Sequence, residues 1–213
     1  SFMSYKKRTT KRLIEPSERQ KEYYELLNHF DLIYLTGAAG SGKTYAACSA
    51  ALKFFEDELI DRIVITRPVV ATEELGYLPG TIEEKVNPFI DPLLDILSSI
   101  YDKKTIEDMI KDGVIEVAPL AYMRGRTFND TFIILDEAQN TTIEQMKMFL
   151  TRFGHNIKCS ITGDITQSDL FEENGLDWSL RRLKPCSLVS SVQFEDDDVV
   201  RSKLVKELIK YLR

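Results

Sequence analysis

The sequence predicts an α/β fold in which a parallel β-sheet is sandwiched by helices. Three observations predict it. Short apolar runs rich in β-branched residues alternate with helical segments, as parallel strands joined by crossovers require. A glycine-rich turn, residues 37–44, lies between one such run and the helix that follows. Another run, Thr131-Phe-Ile-Ile-Leu135, ends in the adjacent carboxylates Asp136 and Glu137.

Read in order, the first helix spans 18–28, with Ser17-Glu-Arg-Gln20 forming a capping box at its start. A strand over 31–36 (Asp-Leu-Ile-Tyr-Leu-Thr) leads through the glycine turn into a helix over 43–57. A strand at 62–66 follows. Residues 67–81 contain Pro68, Gly76, Pro79 and Gly80 without clean periodicity, which predicts a long ordered loop of the kind that carries function. Helices at 82–101 and 104–112 precede strands at 114–118 and 131–136. A helix over 142–153, a strand over 157–163, a helix over 176–183, a strand over 187–194 and a helix over 199–212 complete the chain.

Composition narrows the class. With 213 residues, 43 % hydrophobic and 29 % charged, the chain suits one well-buried globular domain and little more. No apolar run reaches the ~18 residues that span a bilayer and no secretory pattern is visible, so a membrane role is not expected. Cys48, Cys159 and Cys186 are odd in number and lack metal-ligand spacing. They predict reduced core residues in a cytoplasmic protein. Ser1-Phe2 ahead of Met3 reads as an expression remnant. Lys6, Lys7, Arg8, Lys11 and Arg12 place +5 in residues 1–12, a basic, flexible arm ahead of a domain over 13–213. Taking +5 from the net charge of −6 leaves −11 on that domain. The arm suits either a solvated tail or a local contact with nucleic acid, and the acidic body gives no support to a protein that coats nucleic acid.

The chemistry sits at two strand ends. Gly37-Ala38-Ala39-Gly40-Ser41-Gly42-Lys43-Thr44 fits G-x-x-x-x-G-K-[ST] completely, between a strand and a helix as that motif requires. The glycines let backbone N–H groups reach phosphate oxygens, and the helix N-terminus adds positive dipole character. Lys43 is placed for the β- and γ-phosphates, the Thr44 hydroxyl for Mg²⁺, and Tyr45 for the edge of the nucleotide site. Asp136 is the second candidate for Mg²⁺. Glu137 is the candidate to orient or deprotonate the attacking water. No guanine signature is present, so the expected cofactors are ATP and Mg²⁺. Another polar strand end, Gly163-Asp164-Ile165-Thr166-Gln167, puts Gln167 either on the γ-phosphate and its water or in a solvent-facing turn.

These motifs together resemble the PhoH-like ATPases, relatives of the superfamily I helicase core. The resemblance runs over roughly residues 13–205. It is carried by the phosphate loop, Thr66-Arg67-Pro68, Leu75-Gly-Tyr-Leu-Pro-Gly80, Pro119-Leu-Ala-Tyr-Met-Arg-Gly-Arg126-Thr127, Ile134-Leu-Asp-Glu-Ala-Gln-Asn-Thr141 and Gly163-Asp-Ile-Thr-Gln167. It implies a single RecA-like domain, a Walker B element at Asp136-Glu137-Ala138-Gln139, and coupling of the γ-phosphate to movement through residues 163–167. It also implies adenine contact by Gln20, with Tyr23 and Tyr24 either facing the base or packing α-helical surface onto the core.

Helicases of this type close two such domains on ATP, whereas this chain holds one. A head-to-tail ring of copies, a homo-hexamer, would supply the missing half and an arginine in trans. Arg201 is the candidate for the phosphates, and Arg124 and Arg126 for an interface or nucleic acid. Glu195–Asp198 and Asp130 are the local partners that would occupy these arginines instead. Arg67, Tyr77, Tyr122 and Arg124 are candidates for stacking and phosphate contact in the pore of such a ring. The expected activity is an ATPase motor on RNA or single-stranded nucleic acid. A nucleotide-gated assembly switch without a nucleic-acid substrate is the alternative.

Overall fold

Successive side chains of a strand point to opposite faces, so a strand that is apolar at every position must be covered on both sides. β1 (Leu32–Thr36) and β4 (Thr131–Leu135) are of this kind, buried at all five positions. The computed structural model describes residue 5 and residues 15–69, 82–166, 172–195 and 202–212, with 82–89 described as backbone only. Residues 70–81 of the loop expected over 67–81, the basic residues of the arm, Gln167 and Arg201 therefore lie outside the described residues.

Four further strands, β2 (Arg62–Arg67), β3 (Ile115–Pro119), β5 (Ile157–Gly163) and β6 (Val189–Gln193), complete a six-stranded sheet of order β3-β2-β4-β5-β1-β6. Every pairing is parallel. All strands therefore end at the same edge of the sheet, where chemistry in such folds collects.

One face is packed by α1 (Glu18–Leu26), α2 (Lys43–Glu56), α3 (Ile82–Ile100) and α4 (Lys103–Lys111). Ile33, Leu35, Ile63, Ile65, Phe132 and Ile134 point into this layer. Ala46, Ala47, Ala50 and Ala51 give α2 a flat face that lies close on the strands. The opposite face is packed by short 3₁₀ turns at Leu120–Met123 and Ala138–Asn140, by α5 (Ile143–Leu150) and by α6 (Gly175–Leu183). Tyr34, Val64, Ile133, Leu135 and Ile161 meet Met123, Met146, Phe149 and Leu176 there. The two layers on one parallel sheet are the expected α/β architecture.

The sequence placed every strand and α-helix to within a few residues. The helix expected over 142–153 stops at Leu150, and of the helix expected over 199–212 the described part is α7 (Lys203–Leu212), residues 199–201 lying outside the described residues. The two 3₁₀ turns were not anticipated. α7 buries no residue, and Leu204, Leu208, Tyr211 and Leu212 are exposed. No helix among the described residues is long and apolar enough to cross a membrane.

Individual side chains refine the reading. Tyr5, from the basic arm, is buried against Phe55, and its hydroxyl donates to Asp112. All three cysteines are free, as expected, and burial pushes the Cys48 and Cys159 thiols above their ordinary range. Cys186 is exposed rather than in the core, because it falls in the turn between α6 and β6. α5 opens with a capping box in which Thr142 Oγ1 accepts from Gln145 N and Gln145 Oε1 accepts from Thr142 N. Thr142→Ala removes one half of this box and is expected to lower stability by about 1 kcal/mol, read by urea unfolding.

Candidate active site

The strand ends assemble the site. β1 ends at Thr36, and the chain turns sharply through Gly37, whose φ of 139° is a conformation that side-chain-bearing residues rarely adopt. A Cβ at this position would stand 2.4 Å from the Phe194 carbonyl oxygen, so the site admits only glycine. Phe194 is itself fixed by donating its N–H to Thr36 O at 2.7 Å. The turn ends at Gly42, the N-cap of α2, which makes no side-chain cap. The first-turn N–H groups of α2 thus face the cleft ready for an anion.

Within the turn, Lys43 Nζ donates to Gly37 O at 2.6 Å, to Ala38 O at 2.8 Å and to Ser41 Oγ at 3.3 Å. The ammonium occupies the centre of the loop where phosphate oxygens are expected. Burial pushes its pKa below the ordinary lysine value, while the nearby carboxylates of Asp164, Glu137 and Asp136 act in the opposite sense. A cleft of about 240 Å³ opens beside it, lined by Ala39, Gly40, Gly42, Lys43, Thr44 and Tyr45, by Ile96 of α3, and by Asp136, Glu137, Gln139, Gly163 and Asp164. A wider groove of about 610 Å³ between α6 and β6 holds neither the loop nor the strand-end carboxylates.

Asp136 is the centre of the polar network. It is 2 % exposed and accepts four hydrogen bonds. Oδ1 takes Thr44 Oγ1 at 2.8 Å and Thr162 Oγ1 at 2.5 Å, and Oδ2 takes Arg67 Nε at 3.1 Å and Nη2 at 2.7 Å. Neighbouring corners of a Mg²⁺ octahedron with ~2.1 Å bonds lie about 3 Å apart. The Thr44 and Asp136 oxygens have that spacing and the hard-oxygen character the ion prefers, so the residues present fit Mg²⁺.

Glu137 follows in a left-handed backbone conformation, φ 53° and ψ 41°, which is sparsely populated for a residue with a side chain. Its Oε2 accepts from Gln139 Nε2 at 2.6 Å, and Gln139 Oε1 in turn accepts from Asp164 N at 3.1 Å. The Asp164 amide fixes which end of the Gln139 carboxamide faces Glu137. Gly163 makes room for this link: a Cβ there would stand 2.9 Å from Gln139 Oε1 and 2.7 Å from Leu176 Cδ2. Asp164 Oδ1 accepts from Thr166 N and Thr166 Oγ1, closing a tight turn over residues 164–166.

Sequence reasoning missed three members of this network. Gln139 was read only as part of a motif, Thr162 was not singled out, and Arg67 was expected on a nucleic-acid-facing loop. Arg67 instead turns inward onto Asp136. Alternation along β2 carried a signal for it, since Ile63, Ile65 and Arg67 share the face that α2 covers.

Other expectations divide. Gln20 sits in the capping box, its Oε1 accepting from Ser17 N at 3.1 Å, and is not among the residues lining the cleft. Tyr23 packs the core and its hydroxyl shares a 2.5 Å hydrogen bond with Ser160 Oγ, which excludes it from facing a base. Arg126 is held by Glu116 at 2.9 and 3.2 Å and lies over the Phe128 ring, so its partner is Glu116 rather than Asp130. Asp130 is engaged by Asn156 and His155. Tyr122 and Arg124 are exposed.

A glycine turn feeding an uncapped helix, with an acidic strand end at hydrogen-bond distance, is the arrangement of a P-loop nucleotide-binding domain. The family model described as "PhoH-like protein" matches residues 13–213, and the chain belongs to that family. A PhoH-like protein of Mycobacterium tuberculosis (strain ATCC 25618 / H37Rv) is 47 % identical over 193 residues, covering 89 % of this chain and 55 % of the relative. Protein PhoH of Escherichia coli (strain K12) is 41 % identical over 212 residues, covering 97 % and 60 %. The chain thus spans little more than half the length of these relatives. Among solved structures, the large terminase of a thermophilic bacteriophage aligns with a TM-score of 0.56 at 12 % identity, over 94 % of this chain and 51 % of that one. That likeness is one of fold.

Gln139→Ala is expected to slow ATP turnover about ten- to a hundredfold while leaving ATP affinity within a few-fold, because it frees Glu137 without touching the phosphate loop. Steady-state hydrolysis beside fluorescent-nucleotide titration checks this.

Proposed function

We propose that this chain binds Mg–ATP and hydrolyses it, and that hydrolysis drives a ring-forming motor on RNA or single-stranded nucleic acid. The single observation that supports hydrolysis most strongly is the pair of hydrogen bonds that links Glu137 through Gln139 to Asp164, beside Asp136 and its contact with Thr44. It gathers an ion ligand, a water-handling carboxylate and a nucleotide-responsive loop around one cleft.

In this reading Gly37, Ala38, Ala39, Gly40, Ser41, Gly42 and Tyr45 contribute backbone N–H groups and walls to the triphosphate site. Lys43 exchanges its loop carbonyls for the β- and γ-phosphate oxygens. Thr44 and Asp136 hold Mg²⁺, which when bound offsets phosphate charge at the reacting centre. Glu137, whose Oε2 accepts from the Gln139 N–H, orients the water and takes its proton. Gln167 senses the γ-phosphate, and Arg201 of a neighbouring copy completes the site in trans. A head-to-tail contact that closes into a homo-hexamer provides that neighbour.

Two observations bear on the substrate. Tyr122 and Arg124 stand exposed beyond β3, at the same end of the sheet as the nucleotide cleft, a stacking group beside a phosphate-binding group. The charge of −11 on residues 13–213, together with the internal pairing of Arg126, favours the second reading, a nucleotide-gated assembly switch.

Lys43→Ala is expected to abolish turnover and weaken ATP binding. Glu137→Gln is expected to retain ATP while slowing hydrolysis by about 10²–10⁴-fold, and normal turnover in that variant would refute the assignment of the base. ATPase rate measured against protein concentration, with and without single-stranded RNA and with light scattering for mass, tests the motor. Activity that rises with assembly and again with RNA supports it; assembly with RNA-insensitive turnover supports the switch.

A further inference from the structure

We propose that Arg67 is the counter-ion that keeps a divalent cation out of the nucleotide-free site, so that Mg²⁺ enters only together with ATP phosphates. The inference rests on the reading of Thr44 and Asp136 as the Mg²⁺ ligands and concerns how that site is regulated.

Arg67 closes β2, and its guanidinium places two donors on Oδ2 of Asp136, with side chains 17 % and 2 % exposed. Oδ1 is taken by the Thr44 and Thr162 hydroxyls. A cation can approach the carboxylate only by displacing a donor. Thr44 can turn its proton away and offer a lone pair. A guanidinium has no acceptor to offer and carries its charge throughout the accessible pH range.

Formally, the lining Lys43 and the Arg67 paired to Asp136 stand against Asp136, Glu137 and Asp164, which leaves −1 on the group. Without Arg67, one ammonium faces three carboxylates. Mg²⁺ gives up its waters reluctantly, so a carboxylate neutralised by a guanidinium is a weak reason to shed them. The phosphates of ATP restore the missing negative charge and add oxygen ligands of their own.

A purely structural role for the pair explains less. β2 and β4 are already joined in register from Arg62↔Thr131 to Thr66↔Leu135, and Asp136 N donates to Thr66 O at 2.8 Å beside the ion pair. The strands do not need the guanidinium to hold their alignment.

The test is Mn²⁺ titration followed by electron paramagnetic resonance, with Mn²⁺ as the visible substitute for Mg²⁺. Nucleotide-free wild type and Arg67→Lys are expected to leave Mn²⁺ free at low millimolar concentration. Arg67→Gln is expected to bind it at least about tenfold more tightly, and the double variant R67Q/D136N to lose that gain. Equal Mn²⁺ affinity in wild type and Arg67→Gln overturns the proposal. So does a nucleotide-free wild type that takes Mn²⁺ as tightly as its ATP-bound form, an outcome that depends on no variant folding. A wild type that forms no Mn–ATP complex at all refutes the underlying reading of the site, whereas one that forms it while Arg67→Gln shows no gain refutes only the role of Arg67.

Discussion

One carboxylate, buried at the end of a central strand, sets the arrangement of the molecule's polar half. An ionised group taken out of water costs several kcal/mol unless donors and counter-charge replace its hydration. Asp136, set at the end of β4, receives both from three other parts of the chain: Thr44 from α2, Thr162 from β5 and Arg67 from β2. The strand order β2-β4-β5-β1 is what brings those donors within reach. Both neighbours of β4 supply donors, so moving β2 or β5 away from it would leave the same charge short of partners.

The elements were legible because each obeys a local rule. Thr131-Phe-Ile-Ile-Leu135 reads as a doubly covered strand, and Gly37–Thr44 fits the phosphate-loop pattern between a strand and a helix. The contacts within the site were less legible, because they join residues 69 and 92 positions apart for Arg67 and Thr44, and 25 apart for Gln139 and Asp164. Residue type alone does not reveal such partners. Nor does it reveal that Glu137 sits at positive φ, since glutamate is not among the types that favour this conformation.

Where sequence proximity was used to guess partners, parallel topology defeated it. Asp130 lies four residues from Arg126 but at the far end of the crossing into β4, while Glu116, ten residues away on β3, returns beside it. The same reasoning separates the two tyrosines of α1. Tyr23 falls on the helical face that meets β5 through Ser160, and Tyr24, one residue on, is rotated by roughly 100° to the margin. Gln20 is drawn to the helix start by Ser17, and a capping box uses the same carboxamide oxygen that a distant ligand would otherwise find available.

The two cations of the cleft are held by groups that compete with the nucleotide's own components. Lys43 rests on the carbonyls of Gly37 and Ala38, and Arg67 rests on the carboxylate that fits Mg²⁺. Neither charge is left exposed to seek arbitrary anions or metals, and each is released only by a stronger and correctly placed partner. On the proposed reading, triphosphate would offer that partner to Lys43, and a metal carried by the triphosphate would offer it to Asp136. Binding is therefore an exchange of satisfied contacts rather than the filling of a vacancy. In an exchange of that kind selectivity comes from matching both replacements at once, which a free phosphate or a free cation cannot do.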